Sequence, residues 1–184
     1  MENKIPYIPS EREVEEAEKS MDELQEVMTD VRHEMLTNPE FEGKKIVFIM
    51  RGIPGSGKST VAKEIAHPDG VIHSTDRYFY DADGKYQFDG GKIKENHDKN
   101  FLSFCESLKS DKAIVVVDNS NIRRWEFQRY VDAAKEAGYA VREVEMPMPD
   151  PAQASERNAH GGSSESTKAR LLKDIQLMRE QYEK

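Results

Sequence analysis

From residue 44 onward the sequence predicts an α/β fold, a three-layer sandwich around a parallel sheet, with an α-helix placed before it. Three observations predict it. Short apolar runs alternate with longer helical patterns, as repeated strand–helix units require. Two of the runs, 46–50 and 113–117, are apolar without interruption, the pattern of strands covered on both faces. A glycine-rich turn, from Gly52 to Gly57, joins the first run to the helix that follows it.

Residues 1–9, with Pro6 and Pro9, read as an extended leader. Ser10 and Glu13 have the spacing of a capping box and open a long helix. Along it Val14, Ala17, Met21, Leu24, Met28, Val31 and Met35 recur every third or fourth residue, a heptad stripe that Asn38-Pro39 ends. Such a stripe either packs on its own domain or forms a short coiled coil that dimerises the protein or holds a partner, and the spacing fits both. Residues 1–43 are therefore expected to be an acidic helical extension and 44–184 the main domain. Within the latter, 46–50 is a strand, 58–66 a helix stopped by His67-Pro68, and 71–74 a second strand. Gly84, Gly90 and Gly91 mark 81–91 as a loop. Ile93, His97, Phe101, Phe104, Cys105 and Leu108 share one face of a helix. Strand 113–117 leads to a helix over 122–137 with Gly138 as its stop, and 139–146 alternates as a strand. Pro147, Pro149 and Pro151 then break the chain. A short helix is expected at 151–158, a Gly/Ser loop at 160–164, and a closing helix at 167–182 with Leu171, Leu172, Ile175, Met178 and Tyr182 inward.

With 36% hydrophobic residues, the 184-residue chain can bury one core of ordinary size. No apolar run has the length of a membrane span, and the acidic, polar first residues carry no recognisable targeting signal, so the cytoplasm is the expected location. The lone Cys105 excludes an internal disulfide, and its place on an apolar helix face marks it as packing material, not a nucleophile or ligand. The net charge of -8 is unevenly placed. Residues 1–43 hold 13 Asp/Glu against 4 Lys/Arg, whereas 44–184 hold 22 against 23. The main domain neither repels a phosphate chain nor demands one.

The chemistry is clearest at 51–60. Gly52, Gly57, Lys58 and Ser59 meet the pattern G-x-x-x-x-G-K-[ST], between an expected strand and an expected helix. This is a phosphate-binding loop, or P-loop, the mark of the P-loop NTPase fold. Gly52, Gly55 and Gly57 allow successive backbone N–H groups to converge on phosphate oxygens, with Pro54 and Ser56 between them. The helix beginning near Lys58 adds its positive dipole end. Lys58 is expected to bridge the β- and γ-phosphates of ATP, Ser59 to offer its hydroxyl to Mg²⁺, and Thr60 to reach the α-phosphate.

In open parallel sheets, ligands sit beyond the carboxyl ends of the strands, and two carboxylates fall there. Asp76, in Ser74-Thr75-Asp76-Arg77-Tyr78, is the candidate general base for an attacking hydroxyl; its bland role is a turn or helix cap. Asp118, in Asp118-Asn119-Ser120-Asn121, resembles an acid that holds Mg²⁺, in a stretch that is also strongly turn-forming. Arg157, between the prolines and Gly161-Gly162, is the candidate lid arginine. Arg77, Arg123 and Arg124 are candidates for phosphate or acceptor contact, Arg51 reads as a surface charge, and His73 and His160 lack metal-ligand spacing.

Together these motifs, with Trp125-Glu126, Tyr139-x-Val141 and Arg157-Asn158-x-His160-Gly161, resemble the 5′-hydroxyl polynucleotide kinase family of P-loop proteins. That family includes the phage end-healing kinase and the kinase-like domain of myelin cyclic-nucleotide phosphodiesterase. The likeness spans about residues 44–183 and leaves out the acidic helix. It implies that Lys58 and Ser59 bind ATP and Mg²⁺ and that Asp76 activates a 5′-hydroxyl. It further implies that Asp118, Asn119 and Asn121 help hold a nucleic-acid end, with Arg157 in the lid; Arg77 stands only near the position of a family arginine. Two departures concern the acceptor. Phe79 stands where the phage kinase has an arginine, and His160 and Gly161 occupy the stretch of its second lid arginine. Three functions follow: a 5′-hydroxyl polynucleotide kinase, a zeta-toxin-like small-molecule kinase, or an ATP-dependent interaction module in which the acidic helix holds a partner.

Overall fold

The computed structural model describes residues 10–149, 153, 154, 157, 169, 172–177 and 180. The expected leader 1–9, the 160–164 loop, and Asn158, His160, Leu171, Met178 and Tyr182 lie outside the described residues. Helix α1 (Glu11–Thr37) opens as its sequence requires: the Glu13 N–H donates to Ser10 Oγ, and the Ser10 N–H donates to the Glu13 carboxylate at 2.7 Å. Strand β1 (Ile46–Arg51), helix α2 (Lys58–Ala66), strand β2 (Val71–His73), helix α3 (Ile93–Lys109), strand β3 (Ile114–Asp118), helix α4 (Arg124–Glu136) and strand β4 (Ala140–Glu145) follow in alternation.

Among the described residues the four strands form one sheet in the order β2-β3-β1-β4, and every pairing is parallel. All six residues of β1 are buried, because helices cover both faces of the sheet. Ile46, Phe48 and Met50 pack with Val61, Ile65 and Val31 on one face. Val47 and Ile49 pack with Phe104, Phe127 and Tyr130 on the other. The period of two along β1 thus feeds both cores.

The stripe of α1 takes part in the first core. Val31 is buried, and Leu24, Val27, Met28 and Met35 pack beside it. Glu34 pairs with Arg142 of β4 and Arg32 with Glu64 of α2. From Leu24 onward this stripe is therefore used within the chain. A third apolar cluster, Ile53, Ile122, Ala154 and Ile175, ties the turn after β1 to the segments that follow β4.

Element limits differ from expectation by one or two residues. Asp118 closes β3, so the strand itself delivers it to the sheet edge. Helix α4 begins at Arg124, not at 122, because Asn121 takes a left-handed conformation (φ 48°) and Arg123 is extended. Ile122 is apolar for the third cluster, not for a helix face. The 81–91 loop carries a bridge from Tyr80 to Tyr86 and ends in a short 3-10 turn, Gly90–Lys92.

Candidate active site

Beyond Arg51 the chain turns through Gly52–Gly57 into α2. The Gly52 N–H donates to the Ser120 carbonyl at 2.9 Å, which fastens the turn to the loop after β3. Gly55 and Gly57 are left-handed, with φ of 81° and 87°. A Cβ would lie 2.3 Å from the Ala154 carbonyl oxygen at Gly55 and 2.7 Å from Leu24 Cδ2 at Gly57. At Gly55 glycine is required twice over, by conformation and by the close approach of backbone; at Gly57 the conformation requires it, since the end of the Leu24 side chain can shift. Gly57 caps α2 without a side-chain hydrogen bond, and the Thr60 N–H donates to the Gly57 carbonyl at 3.0 Å, which leaves the Lys58 and Ser59 amides ahead of it for a ligand.

Lys58 is buried, and its Nζ donates to the Ile53 carbonyl at 2.7 Å. Burial pushes its pKa down to about 8, against the pull of Asp118 and Asp76. Beside it Ser56 Oγ is buried with no hydrogen-bond partner among the described residues. Pro54, Gly55, Gly57, Lys58, Ser59 and Thr60 line one cleft of about 970 Å³.

At the end of β3 the Asp118 carboxylate is buried, and burial raises its pKa against the pull of the neighbouring Ser59 hydroxyl and Lys58. Its Oδ1 has no partner among the described residues. A partnerless carboxylate oxygen beside a serine hydroxyl suits a hard cation. No group of three or more His, Cys, Asp or Glu among the described residues could hold a metal by itself, so Mg²⁺ would complete its shell with phosphate oxygens and water.

Asp76 stands in a 3-10 turn, Thr75–Phe79, that follows β2. The Thr75 N–H donates to Asn119 Oδ1 at 2.9 Å, which joins this turn to the loop after β3. Asp76 is exposed and borders both the first cleft and a second hollow of about 670 Å³. Phe88, Ile93, His97, Asn119, Trp125 and Arg129 are among the residues lining that hollow. Trp125 is 71% exposed and Phe88 62%, the Phe88 ring lying 5.2 Å from that of Phe79 between centroids. Arg129 is fixed by Asp98 at 2.8 Å and the His97 carbonyl at 2.7 Å. His97 is held below the usual histidine range by burial and by Arg129.

The structure does not bring every expected residue to the site. Arg77 donates to the Ile72 carbonyl at 2.9 Å and lines neither hollow. Asn121 borders the second hollow, but its Nδ2 donates to the Met50 carbonyl at 2.7 Å and clamps β1. Arg124 pairs with Glu143 and, like Arg123, lines neither hollow. Arg51 is a correction: it is buried, not a surface charge. Its guanidinium bonds to Glu145 at 2.7 Å and to the Asn121 and Ile122 carbonyls at 3.2 Å, and lies over Phe127. His73 bonds to Ser107 Oγ, and burial pushes it down to about 4. Cys105 is half-buried, its thiol pushed up by burial. Arg157 does border the first cleft, where its Nη1 donates to Ser20 Oγ at 2.7 Å. Reasoning from sequence missed the contribution of α1, whose Ala17, Ser20, Met21 and Leu24 line the same cleft.

Residues 47–184 match the family model described as an AAA domain. The chain belongs to that family. It is 36% identical over 139 residues to human NEDD4-binding protein 2, a match covering 71% of this chain and 8% of that protein. It is 32% identical over 127 residues to the Acanthamoeba polyphaga mimivirus protein named "Putative bifunctional polynucleotide phosphatase/kinase", covering 68% of this chain and 26% of that one. The chain thus spans a small part of these curated relatives. Among solved structures it superposes on a chain of the Pnkp1/Rnl/Hen1 RNA repair complex with a TM-score of 0.57 at 18% identity, covering 75% of this chain and 46% of that one. At that identity the likeness is one of fold, and the fold is the P-loop kinase-like α/β sandwich that the motifs imply. Among the described residues no helix is long and apolar enough to cross a membrane.

Proposed function

We propose that this domain binds ATP with Mg²⁺ and transfers the γ-phosphate to a hydroxyl at the 5′ end of an RNA or DNA strand. The observation that carries the reading is Asp76, one exposed carboxylate bordering both the P-loop cleft and the second hollow. A phosphoryl donor in the first and a hydroxyl acceptor in the second would meet beside it. The loop amides, the start of α2 and the Lys58 ammonium hold the polyphosphate. Mg²⁺ at Ser59 and Asp118 would draw the terminal phosphates together and offset their charge. Asp76 takes the acceptor proton as the hydroxyl oxygen bonds to the γ-phosphorus. The bond from that phosphorus to the β–γ bridging oxygen breaks, and ADP leaves with the electron pair. Arg157 lends positive charge to the migrating group from the lid, while Asn119 orients the acceptor and Asn121 holds the loop after β3 to β1.

A nucleic-acid end is supported by the motif combination around Asp76 and Asp118, by the exposed Trp125 and Phe88 on which bases can stack, and by the names of the viral relative and the repair complex. A small hydroxylated acceptor is the second reading, favoured by the mixed charge of the hollow, where Lys94 and Arg129 face Asp98 and Glu126. Incubation with γ-labelled ATP, Mg²⁺ and 5′-hydroxyl RNA and DNA oligonucleotides, beside free nucleosides, tests both. Label is expected on oligonucleotide ends, falling about a hundredfold or more in Asp76→Asn while ATP binding persists. Label on nucleosides alone selects the second reading. ATP binding with no transfer to any acceptor overturns phosphotransfer.

A further inference from the structure

The acidic helix α1 is charged at most positions along its first half, yet the residues it presents to the P-loop cleft are Ala17, Ser20, Met21 and Leu24. No charged side chain of α1 lines that cleft among the described residues. Its stripe has two halves with different fates. From Leu24 onward the apolar residues pack on the sheet and α2. Before Leu24, Ala17 and Met21 line the cleft, with Met21 71% exposed, while Val14 lies outside its lining. The two halves meet at the phosphate loop, where Leu24 packs against Gly57, its Cδ2 2.7 Å from where a Cβ would lie. The segment after β4 docks on the same helix through Arg157 to Ser20 Oγ at 2.7 Å and Gln153 to Glu16 at 3.2 Å. Helix and lid segment therefore enclose one mouth of the cleft together.

A nucleoside triphosphate has two chemically distinct parts. The polyphosphate needs amides and cations, which the turn and Lys58 supply. The remainder is an uncharged base and sugar that gains from an apolar wall with few polar groups, and the part of α1 that lines the cleft is a wall of that kind. We propose that α1 is part of the nucleotide site, with Ala17, Met21 and Leu24 forming the shelf on which the nucleoside rests and Ser20 tethering Arg157 at the cleft. The inference rests on the nucleotide reading of the cleft and adds a residue set outside 47–184, the stretch that matches the family model. A flexible thioether such as Met21 adapts to a flat ring face.

Calorimetric titration of the full chain with ATP and with inorganic tripolyphosphate, each with Mg²⁺, separates the shelf from the loop. Wild type is expected to bind ATP more tightly than tripolyphosphate. Ala17→Trp, which fills the shelf, and Met21→Glu, which charges it, are expected to weaken ATP at least about tenfold and to leave tripolyphosphate within about twofold. Both positions are exposed, so an unchanged thermal midpoint checks that the fold is intact. Variants that bind ATP like wild type overturn the proposal. So does an equal loss of both ligands, which would mark damage to the loop, and so does tighter ATP binding, which would make α1 an obstruction. If wild type binds neither ligand, the nucleotide reading of the cleft fails, and the shelf with it.

Discussion

Burial pushes the Lys58 ammonium down to about 8, so in the free protein the charge proposed to hold phosphate starts to be lost not far above neutrality. A polyphosphate beside it would raise that value again, because a nearby anion favours the charged form. Below about pH 8 the ammonium is charged in both free and bound protein, and affinity is flat. Above it the complex must take up a proton, and affinity for ATP falls by up to about tenfold per pH unit. Titrations from about pH 7 to about pH 9.5 should show this slope, and Lys58→Arg, which stays charged, should abolish it; a flat wild-type profile would contradict it. The same scale shows what a motif conveys and what it does not. Lys58, Ser59 and the glycines were legible because the loop is local, each residue acting within a few positions of its neighbours. Arg51 was not. Its partners are Asn121, Ile122, Glu143 and Glu145, 70 to 94 residues further on, and nothing near it in sequence signals that it will be buried.

Helix α1 shows how an element can be legible in its limits and silent about its partner. Ser10, Glu13 and Asn38 mark its ends by local hydrogen bonding. The heptad spacing stated only that one face wants burial, and the packing supplied the sheet and α2 as what covers its second half. Val31 is 2% exposed at the centre of that contact. Val31→Ala should therefore cost about 2 kcal/mol, transfer and cavity together, and lower the midpoint of the whole domain in urea. A variant that melts only α1, with the sheet transition unmoved, would show that the helix is not part of the core. The later start of α4 has a similar cause. Apolar periodicity carried Ile122 into the helix, although its side chain belongs with Ile53, Ala154 and Ile175.

At the scale of the molecule, strand order does what no single motif could. Placing β3 between β1 and β2 sets Asp118 beside Met50, at the end of β1 that leads into the P-loop, and brings the Asp76 turn against Asn119. The parallel sheet, the loop and the two acids could be read in advance because strand ends and turns announce themselves locally. The second hollow could not, since Phe88, His97, Trp125 and Arg129 come from three separate segments and converge only on folding. The same is true of the cleft wall that α1 provides. Phosphotransfer at Asp76 and the shelf on α1 both require the cleft to hold a nucleoside triphosphate. Titration of the purified chain with ATP and Mg²⁺ measures that directly. One molecule of ATP per chain, with affinity reduced at least about tenfold by Lys58→Ala, is the predicted result; a wild-type chain that takes up no ATP with Mg²⁺ present would contradict the account at its root.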